Sequence, residues 1–231
     1  MINDKGEVKI RAITASIVIL AMLALVGCTS AKTWYVDDDG GTDFIRIQDA
    51  IDKASSGDTV FVYTGTYYEN LEINKGDLAI IGEGREGVII DGNDELYTAE
   101  IVSKVDNIEI CEFSIQNSSK GIFMGWSDFN RIVKNRISNC SCGISVSGLN
   151  NNISENIIMN NYVGMELHGD KNIILDNVIS NNSKGIWIMS DYNVILRNDI
   201  IDGHKSISGP DGITISSSNS HDNQISYNTL L

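Results

Sequence analysis

The residues best suited to chemistry recur at matched positions of a repeated motif. Five Gly-apolar-x-apolar segments begin at Gly121, Gly143, Gly164, Gly185 and Gly212. Each reads as a short strand whose apolar residues turn inward, because successive side chains of a strand point to opposite faces. Phe123, Ser145, Glu166, Trp187 and Thr214 then form one outward column, and Gly125, Ser147, His168, Met189 and Ser216 the next. An aromatic ring stacks on the apolar side of a sugar, while a carboxylate or imidazole hydrogen-bonds its hydroxyls. Phe123, Glu166, His168 and Trp187 are therefore the expected ligand-binding set.

Turnover of a polysaccharide would ask for more. Hydrolysis needs two carboxylates opposed across the scissile bond, and proton abstraction beside a uronate carboxyl needs a positioned base. No such constellation is legible, so no catalytic residue is assigned. An enzyme would have to draw on Glu166 and on the insertion between Asp202 and Gly212, which carries His204, Lys205 and Asp211 and borders the same outward face. Long loops on a rigid scaffold are where function concentrates. Metal ligands do not converge in the pattern either. His168, His204 and His221 are dispersed, and Met124 and Met165 fall on inward positions. The turn Asp37-Asp38-Asp39-Gly40 offers calcium a carboxylate run, without the spaced ligands and closing Glu of an EF-hand loop.

The elements that must position these side chains follow from a repeat. NRIVKNRIS from Asn130, NNISENIIM from Asn151, NIILDNVIS from Asn172 and NVILRNDII from Asn193 recur every 21 residues. Looser copies start at Asn107 and Asn223. A fixed period of this size means a stacked array in which no unit buries a core alone. The apolar positions are mainly Ile and Val in short alternating runs, which read as several strands per repeat rather than as a helix. The fold expected is all-β: a right-handed parallel β-helix with ~21–23 residues per coil and about eight to nine coils. Equivalent residues then stack into ladders. Asn135, Asn156, Asn177 and Asn198 form one, and Asn117, Asn161 and Asn182 a second, with Cys140 in place of one Asn. Lys134, Glu155, Asp176 and Arg197, one place before the first ladder, help set coil register.

Four segments organise the chain. Residues 1–27 carry Lys5, Lys9 and Arg11 and then the apolar run Ile13–Val26, ending at Cys28 in the pattern of a lipoprotein signal peptide. Cys28 is the expected lipidation site, with 28–32 a short linker. Residues 33–106 hold irregular first coils and one amphipathic helix through Ile47, Ala50, Ile51 and Ala54, with Thr42 or Asp43 at its N-cap. That helix would cap the first coil. Residues 107–231 are the regular coils, one domain continuous with the preceding segment. The chain stops one strand into a coil, so truncation, or association through an open last coil, is expected.

The net charge of −14 argues against nucleic acid as a partner, because an acidic surface repels a phosphate backbone. The membrane is expected to be met through the lipid anchor alone. Cys111, Cys140 and Cys142 read as small core or turn fillers.

FIRIQDAIDKASSGDTVFVYTGTYYENLEI (Phe44 to Ile73) and IIGEGREGVIIDG (Ile80 to Gly92) resemble the opening of right-handed β-helix proteins of the pectin-lyase-like superfamily. The Asn-x-Ile and Gly-Ile-x-Ile repeats resemble the module shared by carbohydrate-binding proteins and sugar hydrolases, and NosD-like proteins in particular. That likeness implies an extracytoplasmic protein. It leaves three readings open: a noncatalytic glycan-binding or structural envelope protein, a polysaccharide lyase, hydrolase or epimerase, and a periplasmic copper-accessory protein. The best copper site the register offers is His168 with Met189, joined by His204 if the insertion folds back.

Overall fold

A computed structural model of the chain describes residues 30–201, 212–215 and 221–230. Residues 1–27, Cys28, His204, Lys205, Asp211 and Ser216 lie outside these. The described chain is a parallel β-solenoid of about eight turns. Nine strands make one sheet, from Thr33–Val36 to Gln224–Ser226, and a second sheet of twelve takes two segments from each coil. The second segment and its bend are continuous in Arg136–Val146. One helix, Ile47–Lys53, is present among the described residues, and no described helix is long and apolar enough to cross a membrane.

Strict register fills the interior. Ile132, Ile153, Ile174 and Ile195 pair in sequence across the first sheet and are fully buried. Ile137, Ile158, Ile179 and Ile200 do the same in the second. β-Branched side chains stiff at χ1 stack at one strand spacing without rotamer loss, which favours Ile at these positions.

The coil turns at three corners, each made by a residue at positive φ followed by a buried polar side chain. Glu155, Asp176 and Arg197 hold φ near +57°, +54° and +54°, directly before Asn156, Asn177 and Asn198. The left-handed turn leaves main-chain groups out of the sheet ladder, and the Asn side chain satisfies them. The Oδ1 of Asn177 accepts the Asn156 N–H at 2.9 Å, and its Nδ2 donates to the Ile153 carbonyl at 2.9 Å. Asn130, Asn151, Asn172 and Asn193 form a second such ladder, at 2.8 Å per step. Of the charged residues ahead of the first ladder, one pair bridges coils: Arg197 binds both oxygens of Asp176 at 2.8 Å.

Two expectations are corrected. The third ladder runs Ser118, Cys140, Asn161, Asn182, not through Asn117. Asn117 sits at the left-handed corner position itself, φ +59°, as do Asn139, Asn160 and Asn181. The step there is 22 residues (Ser118 pairs with Cys140), where a ladder through Asn117 would have needed 23. The helix N-terminus is held not by Thr42 or Asp43 but by Glu69, whose carboxylate accepts the N–H groups of Ile47 and Gln48 at 2.8 and 3.0 Å. Thr42 instead donates to the Phe44 carbonyl, and Asp43 accepts the Tyr35 N–H. The helix buries Ile47, Ala50 and Ile51 against the strands Thr33–Val36, Thr59–Val62 and Leu71–Ile73.

Candidate functional site

Consecutive coils place the expected ligand-binding residues on one face of the second sheet. Phe123 pairs with Ser145, Ser145 with Glu166, Glu166 with Trp187, and Trp187 with Thr214. The column also extends backwards to Glu100 and Glu72. It exists because the glycine before each strand admits the adjacent coil closely. A Cβ on Gly164 would meet the Gly185 carbonyl oxygen at 2.6 Å, and one on Gly143 the Gly164 oxygen at 2.6 Å. Neighbouring strands in turn bring side chains of the column within one spacing, roughly 4.8 Å.

Two lysines complete the face, and sequence reasoning missed both. Lys120 and Lys184 stand one residue before Gly121 and Gly185, in a second column that also holds Cys142 and Val163. Lys120 Nζ lies 4.6 Å from the Phe123 ring centroid, and Lys184 Nζ lies 4.4 Å from that of Trp187. Tyr97 stacks on Phe123 with centroids 4.8 Å apart and planes 10° apart. Two ring-and-lysine clusters are thus spaced three coils apart, about 14 Å. The signal was readable: Lys-Gly-Ile-Phe at 120–123 and Lys-Gly-Ile-Trp at 184–187 are the two motif copies that carry both a cation and a ring.

Polar groups lie between the clusters. Lys120 Nζ donates to Ser145 Oγ at 3.2 Å, and His168 Nε2 is 3.5 Å from Glu166 Oε2. The hydrogen bond from His168 holds the Glu166 carboxyl below the usual carboxylate range, aided by Lys120 and Lys184 against the opposing effect of burial. Glu166 is thus an ionised acceptor rather than a proton donor. At the head of the column a surface hollow of about 280 Å³ is lined by Asn70, Leu71, Glu72, Glu95, Leu96, Tyr97 and Glu100. Burial raises the Glu100 carboxyl, and the Glu72 charge raises it further.

The soft donors that copper requires are held apart. Met124 and Met165 are fully buried in the core. Cys140 and Cys142 are buried free thiols, and burial raises both. Burial and the charges of Glu109 and Glu112 push the Cys111 thiol, on the other sheet, up to about 11. His221 follows a different corner, its N–H donating to Asp191. Met189 is one coil beyond His168, their N–H groups bonding to Leu167 and Val146. Among the described residues, no three His, Cys, Asp or Glu side chains assemble into a group able to hold a metal. The described donor set does not fit copper.

Solved structures similar to this chain share its architecture. The A-module of Azotobacter vinelandii mannuronan C-5 epimerase is 18% identical, with TM-score 0.63 over 82% of this chain and 66% of that one. A pectin methylesterase variant in complex with a hexasaccharide is 18% identical, with TM-score 0.61 over 79% of this chain and 69% of its own. An alginate lyase from Paenibacillus is 11% identical, with TM-score 0.55 over 86% and 97%. At these identities the likeness is one of fold, that of the pectin-lyase-like parallel β-helix superfamily. A search of the curated proteins found no match. A family model described as periplasmic copper-binding protein (NosD) matches residues 51–231. That match spans most of the chain, and the chain belongs to the NosD family.

Proposed function

We propose that this protein is an extracytoplasmic, lipid-anchored member of its family that binds an extended polysaccharide along the outward face of the second sheet, without cleaving it. The observation that carries this reading is the spacing of Phe123 and Trp187 in one column, with Ser145 and Glu166 between them. Each ring has a lysine over it, so it is held before the ligand arrives and loses little rotamer freedom on binding. Glu166 and His168 supply hydroxyl acceptors and donors at the centre. The hexasaccharide-bound pectin methylesterase supports a saccharide ligand for a solenoid of this shape. Periplasmic location is supported by the family description, and anchoring by the Cys28 motif.

Glycan-array binding of the wild-type chain against Trp187→Ala tests the reading. Loss of about tenfold or more in affinity is expected for removing a stacking ring. Unchanged binding in the variant would remove the site, and no binding by the wild type would leave a structural role. The enzymatic reading rests on Glu166 with His204, Lys205 and Asp211. Release of unsaturated product, new reducing ends or an inverted sugar centre from uronate polymers would establish it over ours. The copper-accessory reading is favoured by the family description. A single tight calorimetric site abolished by His168→Ala would establish it.

A further inference from the structure

The two ring-and-lysine clusters of the second sheet are built alike and finished differently. At the first, Lys120 Nζ donates to the Ser145 hydroxyl at 3.2 Å, and Tyr97 lies flat on Phe123 with centroids 4.8 Å apart. That ammonium and that ring already have partners within the chain. At the second, Lys184 Nζ stands between two rings, 4.4 Å from the centroid of Trp187 and 6.0 Å from that of Tyr162. Tyr162 directly precedes the strand Val163–Leu167 and is 61% exposed. Its carbonyl accepts the Lys184 N–H at 2.9 Å, which fixes the two residues on adjacent coils.

Among the described residues, Lys184 Nζ makes no ion pair and donates to no acceptor. Glu166, in register with Trp187 on the adjacent strand, already pairs with His168 at 3.5 Å. Lys184 is also half-buried, so an ion pair formed there is screened less than one in open solvent. We propose that the glycan carries an acidic substituent, a carboxylate, sulfate or phosphate, which Lys184 binds while Tyr162 and Trp187 stack on the sugar that bears it. This subsite rests on the glycan reading above and adds Tyr162 to its residues.

Glu166 limits the charge pattern of the ligand. Its carboxylate lies one strand spacing, roughly 4.8 Å, from the Trp187 position. A second anionic group on the neighbouring sugar would face that carboxylate, and like charges at such a range repel. The net charge of −14 opposes a polyanion at longer range as well. The ligand class is therefore an acidic polysaccharide whose charged sugars are separated by neutral ones, rather than a uniformly charged uronate polymer.

A glycan array of matched oligosaccharides, probed with the full chain as processed by its expression host, tests the subsite. Each set holds a neutral glucan, xylan or galactan, the same backbone with a single uronic acid, sulfate or phosphate, and a homopolymeric uronate of equal length. The singly charged member should bind about tenfold tighter than the neutral one, by a margin that shrinks as salt rises. The homopolymeric uronate should bind more weakly than the singly charged member. A gain in any one charged arm supports the subsite and names its anion. Lys184→Gln should erase the margin and Lys184→Arg should keep it, while Tyr162→Ala should weaken every member of the set. A charged member that binds no better than the neutral one, or a margin that survives Lys184→Gln, would overturn the subsite; Trp187-dependent binding of the neutral member would then leave the glycan reading standing. Binding to no member of any set would overturn both.

Discussion

The carboxamide oxygen of Asn156 accepts two hydrogen bonds from Asn135 of the preceding coil, from its backbone N–H at 2.9 Å and from its Nδ2 at 3.2 Å. The Nδ2 of Asn156 in turn donates to the Ile132 carbonyl at 2.8 Å and to Asn177 at 3.0 Å. These side chains are buried, so one side chain bonds to polar atoms of both the preceding and the following coil.

Replacing Asn156 by Leu keeps the volume and removes every bond. The buried Asn135 N–H and Ile132 carbonyl of the preceding coil lose this partner, and a cost on the order of 2–4 kcal/mol is expected. Chemical denaturation should show the midpoint falling while the far-ultraviolet spectrum stays β-type. An unchanged midpoint would mean that the ladder is decorative.

Gly169 is a packing requirement. A Cβ there would lie 1.9 Å from the Gly148 carbonyl oxygen of the preceding coil, and that neighbour is backbone, which cannot swing away. Gly169→Ala should destabilise by roughly 2–3 kcal/mol and shift backbone amide resonances of both coils. A variant as stable as the wild type would refute the close approach.

Asp58 ties the first strand to the loop after the helix. Its carboxylate accepts the Ser55 and Lys32 N–H groups and the Trp34 Nε1–H at 2.9, 2.8 and 3.0 Å. These bonds, with the backbone ones dominant, hold its pKa below the ordinary value. The folded state therefore binds the proton less tightly than the unfolded chain does. The stabilisation is complete above the unfolded value near ~3.9 and vanishes as pH falls through the lower folded value. Asp58→Asn should cost about 1–3 kcal/mol at neutral pH and flatten the acid limb of the stability curve. An identical acid limb in the variant would discount this residue.

Glu166 carries the pH behaviour of the glycan face. Because His168 and the two lysines hold its carboxyl low, it stays ionised well into the acid range. Binding that relies on it should hold constant as pH drops to about 5, and Glu166→Gln should weaken it at every pH. Affinity that instead falls steadily below neutrality in the wild type would place the titrating group elsewhere.

Much of this protein was legible from one period. The spacing of Asn151, Asn172 and Asn193, the alternation of Ile and Val, and the Gly-apolar-x-apolar strands were enough to define the solenoid. They also placed Phe123, Glu166, His168 and Trp187 on one face, because side-chain direction in a strand depends only on parity along the chain. What the tertiary structure decided were contacts that depend on the number of residues in a coil. The step from Ser118 to Cys140 is 22 residues, one short of the 23 that Asn117 needed, and Asn117 instead sits at the left-handed corner. Glu69 reached the helix from a later coil, where no local capping rule looks. Lys120 and Lys184 were readable as cations three residues before a ring, and the structure set each over that ring on its own strand. The apolar residues of one outer column of the first sheet were dispersed through the sequence as single residues, such as Phe61, Leu175 and Leu196. Pairing parallel strands one coil apart assembled them into a surface.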